Sequence, residues 1–168
     1  EPVVVAGAQM PNELGGDVTK LVVYRYTESS NTWTQIPFQI DERTPSGSYF
    51  SSDDGVWDSN DELSFMAQDA GDFAVPTLWP AGVNQTTRDE ITVTDPLTGN
   101  FASAYVFTAP SVTPVSTQYI TFSGTATNQT TGKNAAGQTN YVIDFVDGAP
   151  QTQSVMAIGT GNGGDGTD

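Results

Sequence analysis

The sequence has no cysteine and no histidine, and its only lysines are Lys20 and Lys133. Without Cys no disulfide can staple the chain. Without His or Cys there is no Ser-His-Asp triad, no Cys-His nucleophile, no haem ligand and none of the common zinc or copper sites. The chemistry left rests on carboxylates, tyrosines, lysines and hard cations. Positive charge is scarce: 5 Lys and Arg stand against 20 Asp and Glu, for a formal net charge of -15. Such a chain repels phosphate backbones and anionic lipid, which argues against a nucleic-acid or membrane-surface partner. Long apolar runs are missing too. No segment approaches the roughly 18 residues of a membrane span, so no membrane insertion is expected. Glu1 opens the chain without the basic start of a signal peptide, as expected of a mature, trimmed product.

What is present is β chemistry. At 168 residues one domain is the prior, and a compact chain of this size buries roughly 70% of its unfolded surface. The 23 threonines and the scarcity of lysine fit an extracellular, β-rich surface protein better than a cytoplasmic enzyme, although a salt-adapted cytoplasmic protein shares the acidic balance. Apolar residues alternate with period two almost everywhere, and Val, Ile, Thr, Tyr and Phe dominate the runs. The expected fold is all-β: a two-sheet β-sandwich, Ig-like or jelly-roll-like, with about ten short strands and little helix. The strands are expected at 2–7, 18–26, 32–40, 47–51, 62–67, 90–95, 101–109, 118–123, 140–146 and 153–158. The polar stretch 27–31 predicts a hairpin between the second and third. In it Val22, Tyr24 and Tyr26 share one face, as do Thr34, Ile36, Phe38 and Ile40 of the partner. Pro37 cannot donate to a ladder, so its neighbourhood belongs at an edge, a bulge or a strand end. The Gly/Thr/Asn-rich stretch 124–138 reads as a long hairpin loop, functional, decorated or partly strand-like. The expected domain organisation is an N-terminal strand and hinge (1–16), a sandwich (17–158) and a Gly-rich tail (159–168).

Between Asp41 and Asp72 lie nine carboxylates, offset only by Arg43. Within this stretch Asp58, Asn60 and Glu62 place oxygens at every second residue, as calcium loops do. With help from Asp53 or Asp54 they are candidate ligands of a structural Ca2+ site. No Gly stands sixth from Asp58 and no Glu twelfth, so an EF-hand is not expected. The competing reading is a solvated acidic loop whose Asn and Asp residues make turns. Ile36-Pro-Phe-Gln-Ile-Asp-Glu42, then Asp54-Gly-Val-Trp-Asp-Ser-Asn-Asp-Glu-Leu-Ser-Phe-Met-Ala67 and Asp69-Ala-Gly-Asp72, resembles a module of uncharacterised secreted cell-surface proteins of bacteria and archaea. The resemblance covers about a quarter of the chain. It implies an exported, all-β protein and carries no activity.

Other signals are weaker. The sequons at Asn84 and Asn128 lie in expected loops and are candidate glycosylation sites. Trp33, Trp57, Trp79, Tyr24, Tyr26, Tyr49, Tyr105, Tyr119 and Tyr141 supply either a sugar-stacking platform or ordinary core packing. A carboxylate pair such as Asp41 with Glu62 is the minimum for a glycosidase or lyase, but acids this numerous pair by accident. Lys20 or Lys133 could join an Asn or Asp in an isopeptide bond. The leading expectation is non-enzymatic: a secreted structural subunit of a cell-surface filament or layer, a homopolymer of copies of itself. The apolar strand at the N-terminus, with Val3, Val4, Val5 and Met10, is its expected subunit interface, through strand addition. The alternative is a carbohydrate-binding or adhesive module of a larger surface protein, with glycans as partners.

Overall fold

Alternating β-branched and aromatic residues place one side chain inward and the next outward, and two such ladders close on each other to exclude water. A computed structural model describes residues 2–49 and 53–115 in full and residues 120–123, 128–133, 139–146 and 149–158 by their backbone. The chain divides into two compact units, Glu1–Val115 and Ser116–Asp168.

The first unit is a two-sheet antiparallel sandwich. Its strands are β1 (Pro2–Ala6), β2 (Leu21–Thr27), β3 (Thr32–Gln35), β4 (Phe38–Asp41), β5 (Glu62–Met66), β6 (Asp89–Thr94) and β7 (Phe101–Thr108). One sheet has the order β1-β5-β4, the other β3-β2-β7-β6. Helix is limited, among the described residues, to four 3-10 turns of three residues each. The expected hairpin is present, with Tyr24 opposite Gln35 and Thr27 opposite Thr32. Asn31 closes its turn in the left-handed conformation at φ 52, which Asn tolerates better than most residues. The single strand expected over 32–40 is two strands in different sheets. The chain leaves the first sheet after Ile36, which still donates its N–H to Val23, and enters the other at Phe38. Pro37 sits at the crossing, where a missing N–H interrupts no ladder.

Between the sheets lies a core of Val5, Met10, Leu21, Val23, Ile36, Trp57, Leu63, Phe65, Ala104 and Val106. The four-stranded sheet is buried on its other face as well. There Val22, Tyr24, Tyr26, Tyr105 and Phe107 are covered by coil carrying Ala74, Leu78, Trp79, Val83 and Val112. Where β2 and β7 part, residues 71–72 slip between them: Gly71 exchanges two backbone bonds with Ser103, and Asp72 donates to Tyr26. A Cβ on Gly71 would stand 2.3 Å from the Tyr26 carbonyl oxygen, so only glycine fits.

The second unit contains a four-stranded antiparallel sheet in the order β11-β10-β9-β8, made of β8 (Ile120–Ser123), β9 (Asn128–Lys133), β10 (Thr139–Val146) and β11 (Ala149–Ile158). β9 runs through the stretch read as a long loop, and its run of Thr residues pairs with β8 on one side and β10 on the other. The strand expected at 47–51 is not formed over its described residues, where Tyr49 makes only an isolated bridge to Arg43; its end, the remainder of the 124–138 stretch and the tail 159–168 lie outside the described residues.

Candidate functional site

The acidic segment folds around Asp61. β4 and β5 lie side by side with Asp41 opposite Glu62, and the chain between them must return across its own end. Asp61, almost fully buried, organises that return. Its Oδ1 accepts from the Arg43 N–H at 2.8 Å and its Oδ2 from the Asp58 N–H at 2.7 Å. Asn60 donates its side-chain amide to the Arg43 carbonyl. Glu62 holds the Arg43 guanidinium through one oxygen and accepts the Tyr49 hydroxyl at 2.7 Å through the other. That bond to a carboxylate raises the Tyr49 pKa. Arg43 also lies over the Tyr49 ring, 4.8 Å from its centroid, and reaches the Gly47 carbonyl. Glu42 and Asp54 accept the N–H groups of Gly55 and Val56.

The candidate calcium ligands are thus distributed among several tasks. Asn60 and Glu62 are tied to Arg43, Asp54 to its own turn, and Asp53 and Asp58 are exposed. Among the described residues no three acidic side chains converge as a metal group. A cavity of about 110 Å³ lined by Asp41, Glu42, Tyr49 and Asp53 lies beside this network. It admits a few water molecules.

Of the residues expected at a subunit interface, Val5 and Met10 are enclosed in this chain's own core, Val3 is half-buried and Val4 is exposed. β1 pairs with β5 of the same chain, Val4 opposite Ser64. Gly7 donates to the Asp61 carbonyl at 2.8 Å one step beyond the Ala6–Glu62 pair. By the alternation of an antiparallel ladder, Val3 and Val5 therefore turn their backbone groups toward β5, while Val4 turns its N–H and C=O outward. The outward N–H of Ala6 is taken by the Gln9 side chain at 3.0 Å, and Pro2 has none. The outer side of β1 is a guarded edge with one complete opening, at Val4.

Beside β1, at the end away from the acids, a cleft of about 570 Å³ opens between the sheets, lined by Val3, Ala67, Val93, Pro96, Phe101 and Ala102 among others. Phe101 is 67% exposed and Leu97, on the β6–β7 turn, 93%. That turn is tightly tied: the Asp95 N–H donates to the Asn100 carbonyl, the Gly99 N–H, at φ +73, to the Asp95 carbonyl, and the Asp95 carboxylate accepts from the Leu97 N–H and the Thr98 hydroxyl. The sequence singled out neither Leu97 nor Phe101; the only signal was Asp95-Pro-Leu-Thr-Gly99, a turn motif with a bulky apolar residue at its tip.

The aromatic residues divide between faces. Trp57 is fully enclosed in the inter-sheet core. On the other face Trp33 packs edge-on against Tyr105 and Phe107, with centroids at 5.1 and 5.6 Å. Arg88 lies over Tyr105 and Trp79 and donates to the carbonyls of Ala74, Val75 and Leu78, binding the coil to the rings. Asn84 is exposed in that coil, and its side-chain oxygen accepts from the Thr86 hydroxyl at 2.8 Å. Asn128 falls in β9, opposite Phe145; the side chains of Tyr119, Asn128, Lys133 and Tyr141 are outside the described residues.

A second acidic pair, which the sequence did not single out, joins the 11–16 stretch to β6 and β7. Asn12 donates to both oxygens of Asp89 and to the Arg88 carbonyl. Glu13, 2% exposed, accepts the Thr108 hydroxyl through Oε2, while its Oε1 is buried with no partner. Burial pushes both carboxyl pKa values up, and the nearby Asp89 charge adds to the rise at Glu13.

Comparison with known protein families, curated proteins and solved structures gives no match to this chain.

Proposed function

We propose that this chain is a secreted structural subunit that builds a cell-surface filament or layer from copies of itself. The observation that carries the reading is β1. In a chain of net charge -15 its Pro-Val-Val-Val-Ala edge bears no charge, and it is paired on one side only within its own sheet. An uncharged apolar edge is the place where a like-charged copy can approach, and a strand added there gains backbone bonds as well as side-chain contact. Because β1 already completes its own sandwich, in this reading its edge receives a neighbour's strand instead of leaving to fill one. The exported composition and the tandem of two β-sheet units support a wall or fibre component.

The test is the assembly state of the purified full chain by electron microscopy and light scattering, with Val4→Lys as the variant. Ordered polymers that Val4→Lys shortens or abolishes, with an unchanged melting temperature, are the expected result. Monomers at all concentrations that bind glycans would overturn the reading and favour an adhesive module.

A further inference from the structure

The first unit is polar along its strands. β5 begins at Glu62, inside the network of Asp41, Glu42, Asp58 and Asp61, and ends at Met66, which faces Pro2 beside the apolar cleft. A head-to-tail stack would press the exposed carboxylates of Asp53 and Asp58 against an apolar end, at a desolvation cost that an apolar surface cannot offset. Apolar end against apolar end has no such penalty. Among the described residues that line the cleft, the one carboxylate, Asp95, already accepts two hydrogen bonds from its own turn. Leu97 stands on that tightly tied turn directly beside the cleft, so knob and hole lie next to each other on one surface. Such a patch is self-complementary under a two-fold axis.

We infer that the cleft between β1 and the β6–β7 turn is a contact between two copies of this chain, in which Leu97 of each copy enters the cleft of the other against Val3, Ala67 and Phe101. A large, fully exposed apolar side chain on a pre-ordered turn loses little freedom on docking, and a central apolar anchor in a pocket is what dominates interface energies. The inference rests on the reading of this chain as one that assembles with itself. It adds a two-fold contact, which by itself closes a pair; addition at β1 is then what joins pairs into longer arrays.

The absence of cysteine makes the test clean. Leu97→Cys and Gln68→Cys are prepared separately in the full chain, mixed and oxidised. Gln68 lines the cleft and is exposed. A disulfide-linked heterodimer of the two variants, formed in preference to either homodimer, is the expected result. In sedimentation of otherwise native chain, Leu97→Asp should weaken pair formation at least about tenfold, as removal of an anchor residue does, with an unchanged melting temperature. Wild-type polymers that persist in Leu97→Asp, with no mixed disulfide, would overturn the two-fold contact and leave the assembly reading standing. A wild-type chain monomeric at every concentration would overturn both. A monomer whose melting temperature falls with Leu97→Asp would show that the cleft is filled from within the chain, which also overturns the contact.

Discussion

Replacing Glu13 by glutamine should make the protein more stable at neutral pH, not less. Glu13 is enclosed by the 11–16 turn, the end of β7 at Thr108 and the start of β6 at Asp89, and one of its oxygens has no donor. Leaving a buried polar group unpaired costs roughly 1–3 kcal/mol, and more when it is charged. The folded pKa of Glu13 lies above its ordinary 4.5. A carboxyl raised in this way contributes its stability in full below the unfolded value, and loses it as pH climbs through the folded value. Asp89 is raised as well and adds a loss of the same sign. Glutamine is neutral throughout and places amide donors beside the Asp89 carboxylate. Wild type and Glu13→Gln should therefore unfold at nearly the same temperature at about pH 4, where the glutamic acid is protonated. Toward neutral pH the variant should gain about 1–3 kcal/mol over the wild type. For a unit of this size that is on the order of 4 °C per kcal/mol. Calorimetry of both proteins from pH 4 to pH 7.5 gives the comparison. A gap that does not change with pH, or a variant less stable at neutral pH, would show that Glu13 is a well-partnered carboxylate and refute the reasoning.

Gly7→Ala should destabilise the first unit by several kcal/mol in urea unfolding, because its Cβ would sit 1.8 Å from the Asp58 carbonyl oxygen, a backbone atom that cannot move aside alone. Arg88→Met keeps the aliphatic stem but removes the three carbonyl bonds; a loss of about 2–4 kcal/mol is expected by the scale of charged hydrogen bonds, with near-ultraviolet dichroism of the tryptophans reporting the freed coil. Calcium at Asp58, Asn60 and Glu62 has to compete with Arg43, so Arg43→Gln should enlarge any rise in melting temperature produced by millimolar Ca2+. An equal response in wild type and variant would place the ion elsewhere.

Much of the fold was legible because its signals are local. Period-two alternation marked β1, β2, β5, β6 and β7 to within a few residues, and the polar stretch 27–31 marked the β2–β3 turn. What escaped depends on partners far along the chain. Val22, Tyr24 and Tyr26 were correctly placed on one face, but nothing in the alternation says that coil from 73–88 will bury that face too. The break at Pro37 was readable as an interruption; that β3 and β4 go to opposite sheets was not. In the acidic segment the spacing of Asp58, Asn60 and Glu62 suggested a calcium loop, whereas Asp61, between them, is the buried member that holds the turn. Which carboxylate of a run is desolvated is decided by the strands that close over it. Glu13 lacked any local signature, being a charge in a short turn, and for Leu97 the turn motif around it was the sole signal, a single apolar residue among polar ones.

The four-stranded sheet hides its aromatic face beneath coil, and that asymmetry sets the order in which the molecule comes apart. Both ladders of the first unit can stay intact while residues 73–88 lift away, because the fastening rests on the Asn84 N–H bond to the Thr108 carbonyl, the Ala74 bond to the Tyr105 hydroxyl, the stacking of Arg88 on Tyr105 and a few side chains. Amide exchange should accordingly reach Ala74 and Leu78 well before Val22 or Val106, as in other proteins whose least stable segments open independently. The state so formed presents Tyr24, Trp33, Tyr105 and Phe107 side by side to solvent. On gentle heating, clumping of this protein should therefore begin with an uncovered but still folded sheet, below the temperature at which its strands separate.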